Sequence, residues 1–182
     1  MFIKTLTALV AAAGIVSSAP TNTTLPSPSK TVSLTGVTHS VVAGLGGLHF
    51  DPDNVVAQVG DVVEWHFLPK NHSVAQSSFG SPCKPLDATS FFSGFQPTPS
   101  GQAPNVFQIV VTDNNPIWYY CAQTDGNHCQ AGMAGVINQN FNSQTNTLAK
   151  YMAAAADTGV SVIPPVIQGG KVIKNPNPLG GF

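Results

Sequence analysis

Between Val32 and about residue 140 the chain is written in short apolar runs broken by Gly, Pro, Asn and Asp. Runs recurring at roughly 8–12 residues are the pattern of an all-β sandwich, whose strands must turn back often to share one core. The strand candidates are Val32–Val37, Val41–Phe50, Val55–Val59, Val62–Leu68, His72–Ser77, Val106–Val111, Ile117–Cys121 and Met133–Asn138. Gly44, Gly46 and Gly47 interrupt the second. Turn signals stand at Asp51-Pro52-Asp53-Asn54, Gly60-Asp61, Pro69-Lys70-Asn71 and Asp113-Asn114-Asn115-Pro116. Alternation within Val62–Leu68 sets Val63, Trp65 and Phe67 on one face, and Glu64 and His66 on the other. Residues 79–104 hold five prolines and read as a long irregular connection, with Phe91-Phe92-Ser93-Gly94-Phe95 packed onto the domain.

The pattern changes at both ends. Residues 143–156 are good helix formers, with Leu148, Tyr151, Met152 and Ala155 at helical spacing and Gly159 placed to stop the helix. From Thr158 onward no periodicity remains, so residues 141–182 are expected to form a short C-terminal helix and an irregular tail. Residues 1–19 hold one Lys, an apolar run and then small residues, the order of a secretory signal. That run is short for a membrane span of about 20 apolar residues. Residues 20–31 are rich in Pro, Ser and Thr and read as a solvated leader, and Asn22 opens an N-glycosylation sequon there. Asn71 formally opens a second. The tail lacks the hydrophobic end of a lipid-anchor signal. The expectation is a secreted, soluble monomer whose single domain spans residues 32–140.

Charge narrows the function. Without the signal the chain keeps six Lys, no Arg and eight carboxylates, a net charge of about −2 with His neutral. This excludes a nucleic-acid binder that relies on basic phosphate contacts.

The chemistry gathers in Trp118–Met133, WYYCAQTDGNHCQAGM. An aromatic run delivers Cys121, a polar turn follows at Asp125-Gly126-Asn127, and the chain returns with His128, Cys129 and Met133. One loop between two strands can therefore aim a thiolate, an imidazole and a thioether at one point. With His72 as a second imidazole, the set matches a blue-copper site: two His and one Cys in a plane, with a weak axial Met. His39, His49 and His66 read as surface or satisfied core residues. In a secreted chain three Cys allow one intrachain disulfide and leave one thiol over. With Cys121 as ligand, Cys83 and Cys129 are the natural pair. The alternatives are a disulfide that consumes Cys121, or a zinc site from Cys83, Cys121, His128 and Cys129. A multicopper oxidase would need His-x-His pairs, and the chain has none.

These residues resemble the cupredoxins, and most closely the phytocyanin-like secreted cupredoxins of fungi. The likeness runs over about residues 32–140. It is carried by Phe50-Asp51-Pro52 followed by Gly60-Asp61, by Asn71-His72-Ser73-Val74, by Ser81-Pro82-Cys83 and by Ser93-Gly94-Phe95. Pro116-Ile117-Trp118-Tyr119-Tyr120-Cys121 and His128-Cys129-Gln130-Ala131-Gly132-Met133 complete it. The resemblance implies a Greek-key β-sandwich with one copper at one end, held by His72, Cys121, His128 and Met133, beside a Cys83–Cys129 disulfide. It also implies single-electron transfer with a secreted or cell-surface redox partner, and no enzymatic activity. The six residues between Cys121 and His128 exceed what plant phytocyanins usually carry. The competing class is a cell-wall or surface binding protein on the same frame, with copper merely held or absent.

Overall fold

The computed structural model describes residues 31–180. The expected signal at residues 1–19, the leader as far as residue 30 and the Asn22 sequon lie outside the described residues. All the described strands and the helix lie in the unit that begins at Val32.

In chain order the strands are β1 (Thr38–Ala43), β2 (Phe50–Asp51), β3 (Asn54–Val55), β4 (Val62–Phe67), β5 (Asn71–His72), β6 (Ala75–Ser77) and β7 (Gln96–Pro97). Next come β8 (Asn105–Val110), β9 (Ile117–Tyr120), β10 (Ala134–Ile137), helix α1 (Leu148–Ala156) and β11 (Lys171–Lys174). One sheet runs β11-β8-β4-β1-β2, a second runs β3-β10-β9-β6, and β5 pairs with β7. β1 lies parallel to β4, and β3 parallel to β10. Parallel neighbours cannot be joined by a hairpin. The chain therefore crosses repeatedly between the sheets, which makes the architecture a Greek-key β-sandwich with one short helix. No helix among the described residues is long and apolar enough to cross a membrane.

The inner faces follow the alternation read in the sequence. Val63, Trp65 and Phe67 from β4 join Phe107 and Ile109 from β8, and meet Tyr119 and Ile137 of the second sheet. Trp65 is the hub, with ring centroids 5.3 Å from Tyr119, 5.7 Å from Phe91 and 6.1 Å from Phe107. Such aromatic pairs contribute about 0.5–1.5 kcal/mol each beyond the area they bury. Phe91 and Phe92 are buried, so the expected docking of the Phe91–Phe95 segment is realised.

The outer faces are covered as well, which alternation alone did not indicate. Glu64 and His66 point away from the core yet are buried. The His66 ring lies 2.8 Å from Glu64 Oε1 and 3.2 Å from Gln102 Oε1, while Gln108 Nε2 donates to Glu64 Oε2 at 2.5 Å. Asn175 Nδ2, just beyond β11, donates to Gln102 Oε1 at 2.9 Å. On the second sheet, Trp118 stacks on Tyr151 of α1 with centroids 5.0 Å apart, and Phe79 packs 5.0 Å from the same Trp. The Tyr151 hydroxyl is hydrogen-bonded to Ser77 Oγ. The aromatic run before Cys121 is thus buried on both faces.

Several boundaries move. Val32–Val37 forms no strand; Thr35 N–H reaches Gly60 O at 3.1 Å and Val37 O accepts from Val62 N–H at 2.9 Å, without a continuous ladder. The expected strand Val55–Val59 stops at Val55, because Ala57 N–H is taken by Asn138 Oδ1 at 2.9 Å. The helix begins only at Leu148, capped by Thr147, whose side chain accepts from Lys150 N–H at 3.3 Å. Ser143 holds the preceding turn by accepting from Asn146 N–H at 2.9 Å. The helix ends at Ala156 with Asp157 as C-cap, so Gly159 is not its stop. Most of the C-terminal segment is irregular, as expected, but Lys171–Lys174 adds an edge strand to β8. Backbone pairing with β8, rather than any side-chain period, forms that strand. β7 lies likewise inside the segment read as irregular.

Gly135 in β10 stands opposite Tyr119 in β9, and a Cβ there would run into the Tyr119 ring. Gly135→Ala is expected to destabilise the fold by about 1–3 kcal/mol through overpacking. Urea unfolding measures this; an unchanged midpoint would show that the ring has room to move.

Candidate metal centre

Three pieces of chain bring donors to one end of the sandwich. His72 closes β5, Cys121 follows β9, and His128 lies in the loop that returns to β10. Cys121 N–H donates to Met133 O at 3.0 Å, continuing the β9–β10 ladder and closing the neck of that loop. Inside it His128 N–H donates to Gln123 O at 3.2 Å, and Met133 N–H donates to His128 O at 2.9 Å. Gly126 at φ +80° and Asn127 at φ +50° turn the chain back, the left-handed conformation that Gly and Asn tolerate best.

The ligand atoms of His72, Cys121 and His128 all lie within 4.8 Å of one another, and all three residues are buried. Cys121 Sγ is 3.4 Å from His128 Nδ1, and the two imidazole centroids are 4.9 Å apart. Ser73 N–H donates to Cys121 Sγ at 3.4 Å, and Ser73 Oγ accepts from Ala122 N–H at 3.0 Å. Ser93 extends this support, its Oγ accepting from Val74 N–H at 2.9 Å. The residue after His72 is therefore bonded to the thiol and to the residue after it.

The donor set fits a metal ion. His72 Nε2 is 3.3 Å from Pro69 O, and a carbonyl can only accept, so the proton belongs on Nε2. Nδ1 then presents its lone pair, and it is buried with no hydrogen-bond partner. An unsatisfied buried polar atom costs about 1–3 kcal/mol, and a cation among these three donors would remove that cost. Gly44, at φ +93°, makes the ring's position possible, because a Cβ there would collide with His72 Nε2.

Met133 is fully buried in the same core cluster as Cys121. Its backbone bonds tie it to both Cys121 and His128. Cys83 and Cys129 are joined in a disulfide across 46 positions, a loop worth about 4 kcal/mol in the chain-entropy account. Cys121 is the remaining free, buried thiol. With two thiols consumed, a Cys3His zinc set is excluded. His39 pairs with Asp61 at 2.8 Å and His66 with Glu64 at 2.8 Å, so both serve the frame, and His49 is exposed. Asn71, the formal second sequon, is half-buried in β5 with its Oδ1 buried and unpartnered. Sequence reasoning passed over Gly44, Pro69 and Ser73 as parts of the site. Only Ser73 carried a signal, since it belongs to the motif around His72.

Burial sets the electrostatics. Desolvation, and then repulsion from His72, lowers the His128 pKa to about 4, against a smaller opposing pull from Asp125. Desolvation also lowers that of His72, and raises that of the Cys121 thiol. Without metal the pocket thus favours two neutral imidazoles and a protonated thiol. A cleft of about 390 Å³ opens onto both histidines between Gly44–Leu48, Pro69–Asn71 and the Gln123–Gly126 turn, with Lys70 and Asp125 among its walls.

A buried Cys with two His at one end of a two-sheet sandwich defines a class: β-sandwich proteins with a soft, single-ion site. The chain is 34% identical over 145 residues to a "Probable GPI-anchored cupredoxin-1" of Arthroderma benhamiae, covering 77% of this chain and 73% of that protein. It is 36% identical over 143 residues to an "Extracellular serine-rich protein" of the same fungus, covering 76% of this chain. The chain spans only 54%, about half, of that second relative. Among solved structures, auracyanin A of Chloroflexus aurantiacus aligns with a TM-score of 0.41 at 14% identity, over 56% of this chain and 96% of that one. No protein-family model matches. The chain belongs to the cupredoxins.

The histidine shifts make the metal-free protein pH-sensitive. Both histidines bind protons more readily when unfolded, so the stability they confer is complete above about pH 6.5. It is lost as pH falls toward 4. Chemical denaturation of metal-free protein across that window should show the midpoint falling with pH, and His128→Gln should flatten the slope. An equal slope in the variant would place the pH dependence elsewhere.

Proposed function

We propose that this cupredoxin is a mononuclear type-1 copper protein that carries single electrons outside the cell or at its surface. The observation that carries the reading is the buried trio of His72, Cys121 and His128 with the orphaned His72 Nδ1. One thiolate and two imidazoles suit copper, which these three residues would hold, and Met133 would add a weak thioether donor. Bound copper supplies a one-electron couple. The chain's own residues do the rest. Ser73 N–H steadies the sulfur, Pro69 O fixes the His72 tautomer, and the core around Cys121 keeps water from Sγ. Donors already held in place need little rearrangement when charge changes, and little rearrangement favours fast electron transfer.

Four protein donors leave no open position for a substrate, so the role is carriage rather than catalysis. The extracellular assignment follows the printed names of the two relatives, one called extracellular and one GPI-anchored. The redox partner is proposed to be another secreted or cell-surface protein. It would meet the edge of His128, which is 8% exposed against 2% for His72 and 0% for Cys121. Lys70 and Asp125 at the adjoining cleft offset one another. Long-range steering of the partner is therefore expected to be weak.

Purified protein given Cu(II) under non-reducing conditions is expected to bind one ion and develop an intense visible thiolate band. Cys121→Ser should remove the band while the circular dichroism of the sandwich is kept. Wild-type protein that stays colourless would defeat the proposal and favour a structural cupredoxin frame.

The axial assignment has its own test. An amide oxygen favours Cu(II) more than a thioether does, and an alkyl group favours it less. Met133→Gln should therefore lower the reduction potential and Met133→Leu should raise it, by voltammetry. Equal potentials in all three proteins would leave Met133 a core residue only.

A further inference from the structure

The segment after α1 is bonded to the ligand loop at several points. Gln130, between Cys129 and Met133, reaches it through both ends of its carboxamide. Its Nε2 donates to Thr158 Oγ1 at 3.0 Å and to Gly159 O at 2.5 Å, and its Oε1 accepts from Ser161 Oγ at 3.2 Å. At Val162 the same segment engages the remaining supports of the site. Val162 N–H donates to Cys83 O at 2.9 Å, on the other half of the disulfide. The hydroxyl of Tyr120, the neighbour of Cys121, donates to Val162 O at 2.5 Å. Residues 158–162 thus bond to the loop's interior, to the strand that enters it and to the disulfide that braces it.

The segment is itself anchored on both sides. Before it, α1 stacks Tyr151 on Trp118. After it, Gln168 exchanges backbone bonds with Phe92, at 2.9 and 3.2 Å. A strap held at both ends can restrain what it touches. Apart from the disulfide at Cys129, the loop has few restraints of its own: Asp125, Gly126 and Asn127 are exposed, and its internal bonds are short-range turns.

We propose that Gln130 is a positioning residue of the metal centre, which fastens the ligand loop to residues 158–162 and so holds His128 and Met133 in place. This rests on reading the centre as a copper site. The residue acts on the copper through His128 and Met133 rather than by touching it.

The test compares wild type with Gln130→Glu and Gln168→Ala. Gln130→Glu is nearly isosteric, but it deletes both Nε2 donors and sets a carboxylate against Gly159 O. Gln168→Ala removes side-chain bonds to Ala88 O and Ser90 O but keeps the backbone bonds to Phe92 that anchor the strap, and so controls for general loosening of the C-terminal segment. In metal-free protein, amide exchange at Ala131, Gly132 and Met133 should be about tenfold faster or more in Gln130→Glu, with the β4 amides Val63 and Trp65 unchanged. In copper-loaded protein the same variant should show an altered electron paramagnetic resonance copper hyperfine splitting and about tenfold faster copper release to a chelator. Gln168→Ala should leave the loop amides and the copper signal as in wild type.

Loop and β4 amides accelerating together would reduce Gln130 to a general stabiliser and overturn the proposal. So would an unchanged loop, or a looser loop with an unchanged copper signal and release rate. Should wild-type protein take up no copper, the copper reading falls, and the exchange ratio still decides whether Gln130 fastens the loop.

Discussion

The structure depends on the Cys121 thiol being held, away from water, where three separate pieces of chain converge. The thiol lies just beyond a strand buried on both faces, and its sulfur receives the N–H of Ser73 from the link between β5 and β6. That bond makes the positions of His72 and Cys121 one variable rather than two. His128 is added by a loop whose neck is shut by the Cys121–Met133 backbone bond. A sandwich supplies this economically. Strand ends from several parts of the sequence finish at the same rim, and the core behind them resists displacement.

Covering both outer faces has a consequence for that rim. In many sandwiches one face of each sheet meets water, and polar residues alternate with the core. Here α1 closes over Trp118 and Val136, while Gln108 bonds to Glu64 and Gln102, itself bonded by Asn175, lies against His66. The polar residues placed there satisfy one another, as buried polar groups must. Rigidity thus reaches the site from the core and also from the C-terminal segment. That segment continues from the helix to residues bonded to Gln130, Cys83 and Tyr120.

The scarcity of charge works in the same direction. With eight carboxylates and seven basic side chains in the whole sequence, the chain's few charges make no strong field of one sign. The Asp61 carboxylate is held down to a pKa of about 2 chiefly by Thr35, then by His39 and Gln58, so it serves the frame and not the metal rim.

Sequence alone determined the class of fold, the inward face of β4, the helix and the meeting of His72, Cys121 and His128. Each of these is written in local pattern. Alternation follows from strand geometry, and the short turn between Cys121 and His128 brings both side chains to one point. The odd thiol count made Cys83 and Cys129 the natural pair once Cys121 was read as a ligand, and the folded chain closed the alternative of a disulfide through Cys121. Tertiary structure alone decided which bonds close the site. No local pattern says that Gly44 must lack a Cβ to admit the His72 ring, or that Pro69 O would orient it. Nor does any period mark Lys171–Lys174 as a strand, since its pairing partner β8 is remote in sequence. The apolar runs were legible because burial acts on each residue where it stands. The strap, the edge strand and the orphaned nitrogen were not, because each is defined by a partner that only the folded chain brings near.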